Sequence, residues 1–140
     1  MYLGVTLDRF LTYHEYLKKT SAKVGTRNNL LSKLAGTDWG AYAPTLRSTA
    51  LALCFSTAEY CSPVWARSNH TNLVDVKLNA SMRIVSGTLR PTPLPWLPVL
   101  SNIPPPHLRR LEATARLLNR IRPNNSLPLQ GDILLHPALR

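Results

Sequence analysis

The ten residues from Thr49 to Ala58 carry no charge in a chain that is otherwise strongly basic. The segment that contains them, PTLRSTALALCFSTAEYCSPVW from Pro44 to Trp65, limits most tightly how such a chain can fold. Wound as a helix, it sets Leu46, Ala50, Leu53 and Tyr60 along one side and spreads Leu51, Cys54, Phe55 and Ala58 over the others. A helix with so little circumference fit for water is a central one, around which the rest must pack. Pro44 suits a first helical turn, where its missing N–H costs nothing, and Ser62-Pro63 disfavours helix beyond Cys61. Crossing a membrane asks for roughly 20 apolar residues. Arg47 and Glu59 leave an uncharged run of only eleven.

A chain of 140 residues fits one domain, and with 44% hydrophobic and 17% charged residues most of it is expected to fold. Its 17 Lys and Arg against 7 Asp and Glu give a net charge of +10. Such a balance points to a polyanionic partner, nucleic acid first and an anionic membrane surface second. Cys54 and Cys61, seven positions apart on a continuous helix, would lie about 10 Å apart along its axis, too far to bridge. Reduced, buried thiols are expected. No C-x₂-C or H-x₃-H spacing suggests a metal site, and no basic leader followed by a long apolar run suggests secretion. The expectation is an intracellular setting, nuclear or cytoplasmic.

Ahead of the central helix, Tyr2, Val5 and Leu7 predict a short strand over residues 2–8. From Tyr13 to Leu34 the period becomes helical: Leu17, Val24 and Leu31 recur every seven residues, with Leu34 one turn further on. Lys19, Lys23 and Arg27, at i, i+4 and i+8, form a basic ridge beside this stripe, while Lys18 and Lys33 lie on the outer side. Like charges so spaced repel, and phosphates nearby would relieve them. Gly25 marks a kink or a close approach in this helix. Trp39, in the turn Gly36 to Ala41, is expected to cap the core or, as the alternative, to stack on a base.

Behind the central helix, Thr71 is a candidate N-cap for a helix over Asn72–Ser86, with Leu73, Val76, Ala80 and Ile84 packing and Val74, Leu78 and Val85 nearby, Lys77 and Arg83 outward, and Gly87 as its left-handed terminus. Four prolines between Pro91 and Pro98 exclude a long helix. That stretch either plugs the bundle through Leu94, Trp96, Leu97 and Leu100 or offers a polyproline ligand. A last helix, His107 to Ile121, places Leu108, Leu111, Ala115 and Leu118 on a packing face and Arg109, Arg110, Arg116 and Arg120 on a second basic face. Residues 123–140 show no period and read as an irregular tail.

No catalytic constellation emerges. The seven acids stand singly, with no close pair for a divalent metal, and there is no P-loop or G-x-S-x-G. The residues by themselves describe a basic, mainly α-helical bundle that binds rather than reacts, with residues 1–12, 13–122 and 123–140 as entry, bundle and tail.

The spaced combination Tyr2-Leu3-Gly4-Val5-Thr6-Leu7-Asp8, His14, Leu17, Ala22-Lys23, Leu34-Ala35-Gly36-Thr37-Asp38-Trp39-Gly40 and Glu59-Tyr60-Cys61-Ser62-Pro63-Val64-Trp65 resembles the C-terminal part of reverse transcriptases of non-LTR (LINE-type, jockey- or RTE-like) retrotransposons. The likeness continues through Asn79–Arg83, Ser86–Pro93 and Trp96–Leu100, and so covers residues 2 to about 120. The resemblance implies a strand leaving a polymerase palm, followed by the helical thumb and the segment beyond it. It implies an RNA-directed DNA polymerase whose metal-binding aspartates, and the divalent metal, Mg²⁺ by family likeness, lie upstream of this chain. The chain itself would then hold no cofactor and no catalytic residue. Lys19, Lys23 and Arg27 would contact template–primer phosphates, with Arg109, Arg110, Arg116 and Arg120 as further candidates. The implied partners are RNA, an RNA–DNA hybrid and the upstream palm, with no membrane. The alternative is an independent basic helical interaction module with no polymerase role.

Overall fold

In the computed structural model, residues 1–36 and 40–135 are described, with side chains described to residue 132. The expected role of Trp39 lies outside the described residues. Helix α1 spans His14–Leu34 and buries Tyr16, Leu17, Thr20, Val24, Asn28 and Leu31 along one face. That is the expected stripe, except that Leu34 is 42% exposed. The central segment becomes α2, α-helical over Ala43–Ala50, π-helical over Leu51–Phe55 and α-helical again over Ser56–Ala58. Pro44 lies in its first turn. Leu46, Ala50, Cys54, Phe55 and Ala58 are buried, but Ala52 and Ser56 reach solvent, so α2 is apolar on more than one side without being enclosed.

The helix stops earlier than the proline suggests. Cys61 takes a left-handed conformation with φ 52°, breaking the chain before α3, Ser62–Trp65. Burial pushes the Cys54 thiol upward in pKa, and it donates to Asn28 Oδ1 at 3.4 Å. The thiol behaves as a small buried hydrophobe with one polar partner.

Helix α4 spans Asn72–Ser86 and runs alongside α1 in the same direction. The ascending contacts of Ser21 Oγ with the Leu73 carbonyl (2.8 Å) and Asn28 Nδ2 with the Lys77 carbonyl (2.8 Å) fix that direction. Its core face is Val74, Leu78, Ser81, Met82 and Val85, so Val74, Leu78 and Val85 turn inward from beside the predicted set, Leu73 and Ile84 pack half-buried against the core, and Val76 is 64% exposed. Ser81 Oγ meets Asn28 Oδ1 at 2.6 Å, so a polar position within this face is satisfied across the interface. Gly87 does close the helix, with φ 66°, and the Thr88 N–H returns to the Arg83 carbonyl at 3.2 Å. Thr71 makes no side-chain cap. Arg83 does not stand outward as expected: its Nη2 donates to the Thr92 carbonyl at 3.2 Å and ties the proline segment to α4.

Three further expectations are corrected. No strand forms among the described residues. Tyr2 and Val5 exchange two backbone hydrogen bonds across Leu3 (φ 46°) and Gly4 (φ 83°), a closed turn that satisfies the segment without a partner strand. The proline segment forms a 3₁₀ turn over Leu94–Trp96 and α5 over Leu97–Ser101, and only Leu97 of the four predicted plug residues is buried; Trp96 is 60% exposed. Prolines space its apolar side chains irregularly, so one alone turns inward. The tail contains α7, Leu129–Leu135.

The largest departure from expectation is in the last long helix. Helix α6, Pro106–Ile121, docks through Pro106, Arg110 and Ile121, and of the face expected to pack Leu108, Leu111 and Ala115 are exposed and Leu118 is half-buried. Arg109 makes a two-pronged ion pair with Glu59, its Nη2 2.9 Å from Oε2, and its guanidinium lies 5.2 Å from the Phe55 ring centroid. Arg110 is paired in the same way with Asp75, Nη2 to Oδ2 at 2.9 Å, and lies over the Trp65 ring at 5.6 Å. Planar guanidinium groups match carboxylates as forks and stack on aromatic rings, so these arginines seat the helix as effectively as leucines would.

Candidate nucleic-acid interface

The internal ion pairs decide which cations are left for a partner. Arg109 and Arg110 are committed to Glu59 and Asp75. The Glu59 carboxylate raises the Arg109 pKa above its ordinary value. Arg27, read as the third member of the ridge, turns inward: Nη1 donates to the Leu53 carbonyl at 2.6 Å and to Thr57 Oγ1. Leu53 lies in the π-helical turn of α2, so Arg27 anchors α1 to the irregular part of the central helix. It is a structural cation.

Lys19 and Lys23 remain exposed. Lys19 stands 3.5 Å from Glu15, with both side chains more than half exposed, a pair too well solvated to hold it. Lys18 and Lys33 are also exposed, so the outer arc of α1 carries four lysines and one acid. Lys77 of α4 borders the same helix, close enough that a Cβ added at Gly25 would sit 3.8 Å from its Cε. The sequence shows Lys77 as outward but not as a neighbour of α1, because helix pairing is a long-range fact. Arg116 is exposed and paired with Glu112 one turn back, and Arg120 is exposed. The seven predicted cations therefore do not form one surface. Lys19 and Lys23 belong to the α1 face, Arg116 and Arg120 to α6, and the other three are internal.

Lys23 also lines a cleft of about 360 Å³ with Gly4, Tyr16, Thr20, Ser56, Thr57 and Tyr60. Most of its hydroxyls are already spent. Tyr16 donates to the Tyr60 carbonyl (3.2 Å), Tyr60 to the Leu3 carbonyl (3.0 Å), Thr57 to the Leu53 carbonyl (3.0 Å), and Ser56 to that of Ala52. The Tyr16 pKa is raised by burial and that of Tyr60 by its interaction with Cys61, so both phenols stay neutral. The ammonium is what an anion would meet here: attraction at a groove edge, without a cage of donors. Among the residues that line this cleft, none is set beside a base that would activate it as a nucleophile. Among the described residues, no three His, Cys, Asp or Glu side chains gather where they could hold a metal, and no helix is long and apolar enough to cross a membrane. No protein-family model, curated protein or solved structure matches the chain.

Proposed function

We propose that this chain is the thumb-like, non-catalytic part of a retrotransposon RNA-directed DNA polymerase, and that the outer face of α1 grips RNA or an RNA–DNA hybrid. The reading places it inside the cell, with polymerisation and its metal carried by an upstream palm. The observation that carries it is the sorting of charge: three arginines are consumed internally, while Lys18, Lys19, Lys23 and Lys33 all face solvent on one 21-residue helix. A rod about 30 Å long with lysines on its open side suits the phosphates of a duplex and reads no base. Exposure of Tyr2, Leu3, Phe10 and Leu11 at 57–82% supports a further body against the N-terminal turn.

Salt titration of binding to a labelled RNA–DNA hybrid tests this. Lys19→Gln with Lys23→Gln is expected to weaken binding about tenfold at low salt and to flatten the log–log salt slope by about 2, one unit for each phosphate that is no longer neutralised. An unaltered slope, or equal weak binding to hybrid and to anionic vesicles, would overturn it.

A further inference from the structure

Because α6 docks through its arginines, its apolar stripe is left facing water. Leu108 is 48% and Leu111 63% exposed, Ala115 is exposed and Leu118 half-buried. The spacing of these four, three then four then three, is the seam of a two-helix coiled coil. Glu112 and Arg116 lie together on one border of the stripe, with side chains 58% and 74% exposed. We propose that this face pairs with the same face of a second copy of the chain, the two α6 helices antiparallel about a twofold axis near Ala113. The proposal stands independently of the polymerase reading.

The charges select this occupant and this direction. Antiparallel pairing centred there sets Leu108 level with the partner's Leu118 and Leu111 level with the partner's Ala115, large against large at the ends and large against small at the middle. A twofold axis also brings like borders together. Glu112 then lies about 3 Å along the axis from the level of the partner's Arg116, near enough for the Glu112–Arg116 pair within each helix to be exchanged for two pairs between helices. Arg120 falls near the level of the partner's Pro106, clear of any opposing cation. The stripe supplies affinity, and the charges supply register. A seam of one helix about 24 Å long lies at the small end of specific interfaces, so the dissociation constant should be on the order of 10 μM.

Sedimentation velocity on the full chain, from about 1 μM to about 500 μM, tests the idea. The weight-average mass should climb from 15.6 kDa toward twice that value. Leu111→Glu should stay monomeric with an unchanged circular dichroism spectrum and unfolding midpoint, which its exposure predicts. Glu112→Arg and Arg116→Glu should each weaken association about tenfold, and the double variant should recover most of it. A chain monomeric throughout, association that ignores Leu111→Glu, or a double variant no better than either single one would overturn the proposal.

Discussion

Arg110 is 6% exposed, yet it sits where a leucine-seated helix would have its packing side chain. Its fork on Asp75 and its stacking over Trp65 bury a charge without leaving it unpaired, and Asp75 keeps partial contact with water. Part of the desolvation cost is therefore avoided, while breaking the pair costs more than breaking a surface pair would. Arg110→Ala should destabilise the fold by about 2 kcal/mol, because the carboxylate loses its partner and Trp65 its cover. Adding Asp75→Ala should restore part of that stability, since the stranded charge is gone. Urea unfolding of the two single variants and the double one reads the coupling. Additive losses would mean that the guanidinium acts only by filling space.

The helix boundaries are largely legible in the sequence, and the helix faces only in part: the stripe of α1 is, the docking face of α6 is not. Pro44 and Gly87 mark ends because their effects are local: one lacks an N–H, the other tolerates φ 66°. The span Asn72–Ser86 follows from such punctuation. The leucine spacing of α6 is equally plain, but spacing tells only that a helix has two faces. Which one docks is settled by Glu59 and Asp75, carboxylates 50 and 35 residues away, and nothing local announces them. The inward turn of Arg27 is hidden for the same reason: its partner is a carbonyl in a π-helical turn of another helix. The glycine inside α1 and the one that ends α4 carry opposite predictions. A Cβ at Gly25 meets only the Lys77 side chain, at 3.8 Å, so Gly25→Ala should stabilise by about 0.5–1 kcal/mol through chain entropy. At Gly87 space is open but φ is positive, so Gly87→Ala should destabilise by about 1 kcal/mol. Thermal midpoints moving the same way in both would show that backbone conformation is not the deciding factor at these sites.

Across the whole molecule, the count of 17 Lys and Arg overstates the cations open to a polyanion, since Arg27, Arg109 and Arg110 face inward. The exposed cations are unevenly placed: lysines line the open arc of α1, whereas Arg116 and Arg120 are on α6, where Arg116 has an acid beside it. If partners respond only to total charge, any two surface cations are equivalent. If one helix face grips the backbone, they are not. Arg116→Gln with Arg120→Gln removes the same two charges as Lys19→Gln with Lys23→Gln. On an RNA–DNA hybrid it should leave the salt slope within about 0.3 of the parent, against a fall of about 2 for the lysine pair. Protein held well below about 1 μM keeps self-association out of the comparison. Equal slopes for the two double variants would reduce the α1 face to a share of a diffuse positive field, and the grip proposed for it would fall with that result.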